Sequence, residues 1–128
     1  VPGVNHLDLL NNSVITDPFY RNNEKNIQWI GKKDWVYRRK FTVDASLLES
    51  DSVNLNCDGL DTFAHIYING YHLAYSDNMH RRYSFNIKNH LIEGENSIKI
   101  IFWKINRAIV IFYNDNFLCD TKRCFIYR

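Results

Sequence analysis

The sequence predicts an all-β fold, an antiparallel β-sandwich preceded by one short N-terminal helix. Three observations carry this expectation. From Trp35 to Phe102 apolar and polar residues alternate in short runs, the period of a half-buried strand. Turn signals recur about every ten residues and separate at least six such runs. Helical spacing is confined to the first dozen residues, so the chain lacks the helix–strand alternation that builds a parallel sheet.

The elements follow in order. In VPGVNHLDLLNN, Val4, Leu7 and Leu10 lie three apart after Pro2-Gly3, which predicts a helix of about two turns. Asp17-Pro18 ends regular structure, and the following DPFYRNNEKNIQWIGKKD mixes aromatic with Asn, Lys and Gly residues, as a long packed loop does. Phe19, Tyr20, Trp29 and Ile30 are the residues expected to anchor it. Next, Trp35, Tyr37, Phe41 and Val43 fall on one strand face and Arg38, Lys40 and Thr42 on the other, and Val53, Leu55 and Cys57 repeat the pattern. Phe63 to Ile68 is richer in apolar residues on both faces. Asn69-Gly70 then gives a strong hairpin signal, because a tight turn there needs φ > 0 at both positions, and Tyr71 to Ser76 is the returning strand. Tyr83, Phe85 and Ile87 alternate again. A turn is expected at Glu93-Gly94-Glu95-Asn96, followed by a strand through Ile98, Ile100 and Phe102.

Composition narrows the function classes. A length of 128 residues suits one domain, and a hydrophobic share of 45% with 15% aromatics argues for a packed core over a disordered tail. The net charge is only +2, and the basic clusters Lys32-Lys33, Arg38 to Lys40, Arg81-Arg82 and Lys122-Arg123 are spread out, so no stripe suited to nucleic acid forms. The longest apolar run, Ala108 to Tyr113, is far short of the ~20 residues of a membrane-spanning helix, so no membrane association is expected. Three cysteines cannot pair completely; Cys119 and Cys124 could be bridged, and Cys57 in its strand packs as a small hydrophobe.

Taken together, the blocks VPGVNHLDLL, DPFYRNNE, IQWIGKKDWVYRRKF, CDGLDTFAHIYING, SDNMHRRYSFNI and EGENSIKIIF resemble, in this order, the N-terminal region of the β-mannosidases of glycoside hydrolase family 2. The stretch from Gly59 to Phe102 resembles the whole superfamily, including β-galactosidases and β-glucuronidases; DPFYRNNE, QWIG with DWVYR, and DNMHRRYSF narrow the likeness to β-mannosidases. The resemblance implies a galactose-binding-domain-like jelly-roll sandwich over residues 1–102, with a divergent extension over 103–128. It also implies a parent enzyme that removes terminal β-linked mannose by a retaining mechanism, whose two carboxyl groups stand about 5–5.5 Å apart. In the family both glutamates belong to a separate TIM barrel, which needs on the order of 200 residues or more. The family's pocket loop carrying Trp-Asp-Trp has no counterpart in this sequence. A first strand usually precedes the VPG block, so the module is expected to be clipped at both ends and marginal as a monomer, since unpaired strand edges favour association. By the same resemblance, the parent's compartment is lysosomal or secretory.

Residues able to carry chemistry are weighed against plain structural roles. Asp17, Glu24, Asp34, Asp61 and Asp77 read first as turn-capping acids. Asp77-Asn78, just before Arg81 and Arg82, resembles a structural turn with ion pairs that could also line an interface to the barrel. The five histidines are too scattered for a local zinc motif, and Cys119-x4-Cys124 lacks a second pair. Trp29, Trp35 and Trp103 read as core or interface residues first and as sugar platforms second. The reading therefore assigns no catalytic residue, no cofactor and no metal. It names Trp29, Trp35, Asp77, Asn78, Arg81 and Arg82 as interface or sugar-contact residues, with Asn11 of Asn11-Asn12-Ser13 as a glycosylation acceptor. The partner it implies is the catalytic TIM barrel of the parent enzyme, together with an oligosaccharide. Competing readings are a free-standing carbohydrate-binding module, the same domain of a related β-galactosidase or β-glucuronidase, and a truncated gene product whose end, from Trp103, arises from a misread exon boundary or altered splicing.

Overall fold

The computed structural model describes residues 4–104. The chain opens with helix α1 (Asn5–Asn11), a short helical turn α2 (Asn23–Asn26) and a 3₁₀ turn at Ile30–Lys32. Strand β1 (Trp35–Val43) follows, then α3 (Ala45–Leu48), β2 (Asn54–Cys57), β3 (Ala64–Ile68), β4 (Tyr71–Ser76), β5 (Tyr83–Asn86), a 3₁₀ turn at Lys88–His90 and β6 (Gly94–Phe102).

Among the described residues, six strands form two antiparallel sheets, one ordered β1-β6-β3-β4 and the other β2-β5. The core lies between them. Val43, Ala64, Ile66, Ile68 and Ile98 come from the larger sheet, Leu55 and Cys57 from the smaller one, and Leu60, Ile87 and Leu91 from the connecting segments. Period-two alternation produces this directly: β3 buries Ala64, Ile66 and Ile68 and turns His65 and Tyr67 to the opposite face. Each fully buried Ile or Leu contributes about 1.5–3 kcal/mol of apolar burial, so the centre of β3 is the main anchor of the larger sheet.

Strand β3 pairs on both sides, with β6 and with β4, and β6 in turn pairs with β1 along all nine residues from Trp35↔Phe102 to Val43↔Gly94. The Asn69-Gly70 turn joins β3 to β4 as expected, with φ of 49° and 87° at its two residues. Only glycine adopts the second of these without strain.

Two expectations need correction. The turn expected at Glu93 to Asn96 lies earlier. Strand β6 already begins at Gly94, and Asn96 pairs with Phe41, because the Asn96 side chain bonds back to Ile92 and Gly94 and closes the loop before the strand starts. Phe19 and Tyr20 do not anchor the long loop, being 96% and 57% exposed. Polar contacts hold that region: Asp17 accepts a bond from the Phe19 amide at 2.9 Å, and Asn23 donates to the Asp17 carbonyl at 2.8 Å. Ile30, 1% exposed, is the anchor, while Trp29 next to it is 37% exposed.

Candidate functional site

Register places the sequence-predicted residues at one end of the sandwich. Trp35, Phe102, Ala64 and Ser76 lie side by side across the four strands of the larger sheet. Beyond that row lie the loop entering β1 with Trp29, the 58–63 connection from β2 to β3, the 77–82 connection from β4 to β5, and the residues following β6. Trp29, Trp35, Asp77, Asn78, Arg81 and Arg82 therefore share one end although they are up to 53 positions apart in sequence.

Each loop is held by bonds that its residue types dictate. The Trp29 and Trp35 rings sit 6.1 Å apart in a tilted pair, and the Trp35 indole N–H donates to the Ile30 carbonyl at 2.9 Å. That bond lets a large amphipathic ring close the sheet end while its polar atom stays satisfied. Asp34 accepts from the Lys104 backbone amide at 2.7 Å, tying the entry of β1 to the exit of β6.

The 77–82 loop wraps the Tyr83 hydroxyl. That oxygen accepts from the Asp77 and Asn78 amides at 3.3 and 3.2 Å and donates to the Asp77 carboxylate at 3.1 Å. Asn78 Oδ1 accepts from the His80 amide at 2.9 Å, an Asx turn of the kind expected of a loop Asn. Arg82 Nε stands 3.7 Å from an Asp58 carboxylate oxygen in an exposed pair of little energetic weight. Arg81 is exposed, with its amide on the Asn78 carbonyl at 3.4 Å.

The carboxylates at this end are thus committed locally. Asp34 holds an amide, Asp58 faces an arginine, Asp61 meets the Thr62 hydroxyl, and Asp77 meets the Tyr83 hydroxyl. Among the described residues no group of three or more His, Cys, Asp or Glu side chains is placed to hold a metal ion, and no helix is long and apolar enough to cross a membrane. The arrangement offers half-exposed indole, exposed arginine and turn backbone: a surface suited to packing or binding.

Sequence reasoning missed an aromatic patch on the outer face of the larger sheet. His65, Tyr67, His72, Tyr75 and Trp103 gather there, with His65 ring centroids 5.1 Å from Tyr75 and 4.6 Å from Trp103. Burial first, then the Asp77 charge and the Tyr83 phenol, raise the Tyr75 pKa above its ordinary value. The signal was present in the odd positions of β3, but their partners on β4 depend on a register shift between Ile66 and Tyr67 that no residue pattern announces. Asn11 is exposed at the last turn of α1. Cys119, Cys124 and residues 105–128 lie outside the described residues.

Residues 1–121 match the family described as "Glycosyl hydrolase 2 galactose-binding domain-like". A β-mannosidase of Capra hircus is 39% identical over 102 residues, which is 80% of this chain and 12% of the relative. The solved β-D-mannosidase of Dictyoglomus thermophilum superposes with a TM-score of 0.86 at 40% identity, over 91% of this chain and 14% of that one. A Bifidobacterium dentium β-glucuronidase is more distant, with a TM-score of 0.50 at 27% identity over 52% of this chain and 11% of its own. The chain thus spans about one eighth of the length of the curated mannosidase that it matches.

Proposed function

This chain belongs to the glycoside hydrolase family 2 galactose-binding-like domain family, and from that premise we propose that it is the non-catalytic N-terminal module of a β-mannosidase-like enzyme, packed by its loop end against a catalytic barrel. One observation carries the reading: Trp29, Trp35, Asp77, Asn78, Arg81 and Arg82 are assembled at the end from which the chain leaves β6. A module that braces a neighbouring domain needs its contact residues on one face, and rigid strand ends hold them there. The local commitments of Asp34, Asp58, Asp61 and Asp77 support a bracing role over an acid–base pair.

In this reading the parent enzyme releases terminal non-reducing β-D-mannose with retention, and both carboxyl groups come from the barrel. The module is the 1–102 unit ending with β6 at Phe102, and 103–128 is a divergent extension. The likeness to β-mannosidases over 80% of the chain supports the mannosidase assignment over the glucuronidase one. The compartment is lysosomal or secretory, which suits the exposed Asn11 as a glycan acceptor.

The purified chain is expected to release no chromophore from a nitrophenyl β-mannoside, and turnover that survives repurification would overturn the proposal. Calorimetric titration with mannose and short mannosides separates bracing from lectin-like binding: a saturable heat at millimolar sugar, abolished by Trp29→Ala, would replace the scaffold reading with a carbohydrate-binding one.

A further inference from the structure

The outer face of the larger sheet carries a pair of imidazoles whose placement points to a ligand. His65 Nδ1 and His72 Nε2 stand 2.8 Å apart. His65 belongs to β3 and His72 to β4, and strict alternation back from Tyr75 would turn His72 to the inner face. The register shift between Ile66 and Tyr67 changes that. It pairs Tyr67 with His72 and leaves Leu73 as the extra residue, so both histidines project from one face. His65 is fixed among the Tyr67, Tyr75 and Trp103 rings, while His72 is exposed.

We propose that His65 and His72 form a two-imidazole chelate for a divalent transition metal of square-planar or octahedral preference, with Ni²⁺ and Cu²⁺ as the fitting class. Two ring nitrogens at bond lengths of about 2.0–2.1 Å occupy adjacent positions, at about 90°, when they lie about 2.9 Å apart. The observed 2.8 Å is the length of the hydrogen bond between the rings, and it leaves the two nitrogens close enough to share one ion once both lone pairs turn toward it. A tetrahedral ion such as Zn²⁺ needs about 3.3–3.4 Å between the same nitrogens, and the rings would have to part by roughly half an ångström. Without metal, one ring donates its N–H to the other's lone pair. Metal binding requires the donor ring to change tautomer, its proton passing through solvent from the facing nitrogen to the ring's other nitrogen, so that both facing nitrogens present lone pairs; water on the exposed His72 side completes the coordination shell.

The charged side chains in the cross-strand row of His72 are cationic, while the Asp77 carboxylate lies on the far side, beyond Tyr75. Lys99 Nζ sits 4.3 Å over the Tyr67 ring, and Arg38, opposite Lys99 on β1, continues the same cross-strand row. They moderate the affinity, which therefore rests on chelation. Once one imidazole is bound, the second is held at high effective concentration, so losing it weakens binding by about tenfold or more.

The test is calorimetric titration of the full 128-residue chain with NiCl₂ at about pH 7.5, a pH at which free imidazole is mostly neutral. One saturable site is expected, weakened at least about tenfold by His72→Ala and by His72→Gln and unchanged by His80→Ala. Far-UV circular dichroism on each variant establishes that the sheet is retained, and the exposed position of His72 makes the glutamine variant a mild change. Absence of any saturable binding, or equal affinity in the parent and both His72 variants, would overturn the assignment. Because nickel binding is read without a glycoside, its failure leaves the enzymatic reading untouched, and the reverse holds too.

Discussion

Removing the Asn96 side chain should destabilise this sandwich more than any nearby surface change. Asn96 is 1% exposed and makes four side-chain hydrogen bonds. Its Oδ1 accepts from the Ile92 amide at 2.9 Å and from Asn69 Nδ2 at 2.7 Å, while its Nδ2 donates to the Ile92 and Gly94 carbonyls at 2.7 and 3.0 Å. Asn69 also donates to the His90 carbonyl and accepts from the Ser97 amide, so the pair of asparagines joins the β3–β4 turn to the loop that feeds β6.

At about 1 kcal/mol net for each intramolecular bond, Asn96→Ala should cost about 4 kcal/mol, since the partners are left without a replacement in a buried place. For a chain of this size 1 kcal/mol corresponds to about 3–5 °C, so the melting temperature should fall by roughly 12–20 °C. Urea unfolding followed by tryptophan fluorescence reads the change as a lower midpoint at constant slope. Glu95→Ala is the internal control. Glu95 reaches Lys40 at 2.8 Å, but the two side chains are 66% and 72% exposed, and such pairs contribute under about 1 kcal/mol. A loss below 1 kcal/mol in Asn96→Ala, or one no larger than that of Glu95→Ala, would refute the claim that this network locks the turn.

Two further outcomes follow from single residues. Gly70 has φ of +87° and open space where a Cβ would stand, so Gly70→Ala should cost about 1–2 kcal/mol through backbone strain alone, while Gly31→Ala, equally uncrowded but outside the left-handed region, should leave the urea midpoint in place; equal midpoints for the two variants would contradict this. Burial, then the Asp8 charge and a hydrogen bond to Asp8, raise the pKa of Tyr37 above its ordinary value. A folded-state pKa above the unfolded one means the contribution is fully present below about pH 10 and is lost as pH rises through the folded value. Tyr37→Phe should therefore flatten the alkaline decline of stability above about pH 10, and curves that stay parallel to the parent's would exclude Tyr37 as a source.

Much of the fold was legible because side-chain period and turn chemistry act locally. Alternation at Trp35, Tyr37, Phe41 and Val43 marked β1, and Asn69-Gly70 marked the hairpin, since few dipeptides adopt two positive φ angles so readily. Where a side chain reaches back to its own backbone, as Asn96 does, the turn shifted by a few residues from the Glu-Gly-Glu signal. The exposure of Phe19 and Tyr20 was equally illegible, because aromatic content indicates only that burial is favourable, not whether the loop bonds of Asp17 and Asn23 allow it.

The sequence by itself determined at least six strands, the hairpin, the core faces of β1, β2, β5 and β6 and, through its motif blocks, the likeness to the mannosidase sandwich. Only the tertiary structure decided that β6 runs between β1 and β3, which gathers Trp29, Trp35, Asp77, Asn78, Arg81 and Arg82 at one end, and that a register shift in β3–β4 turns His72 onto the face of His65. The physical reason is the range of the forces involved. Alternation and turn preference depend on a residue and its immediate neighbours, whereas strand order and register depend on which distant apolar faces close over a common core.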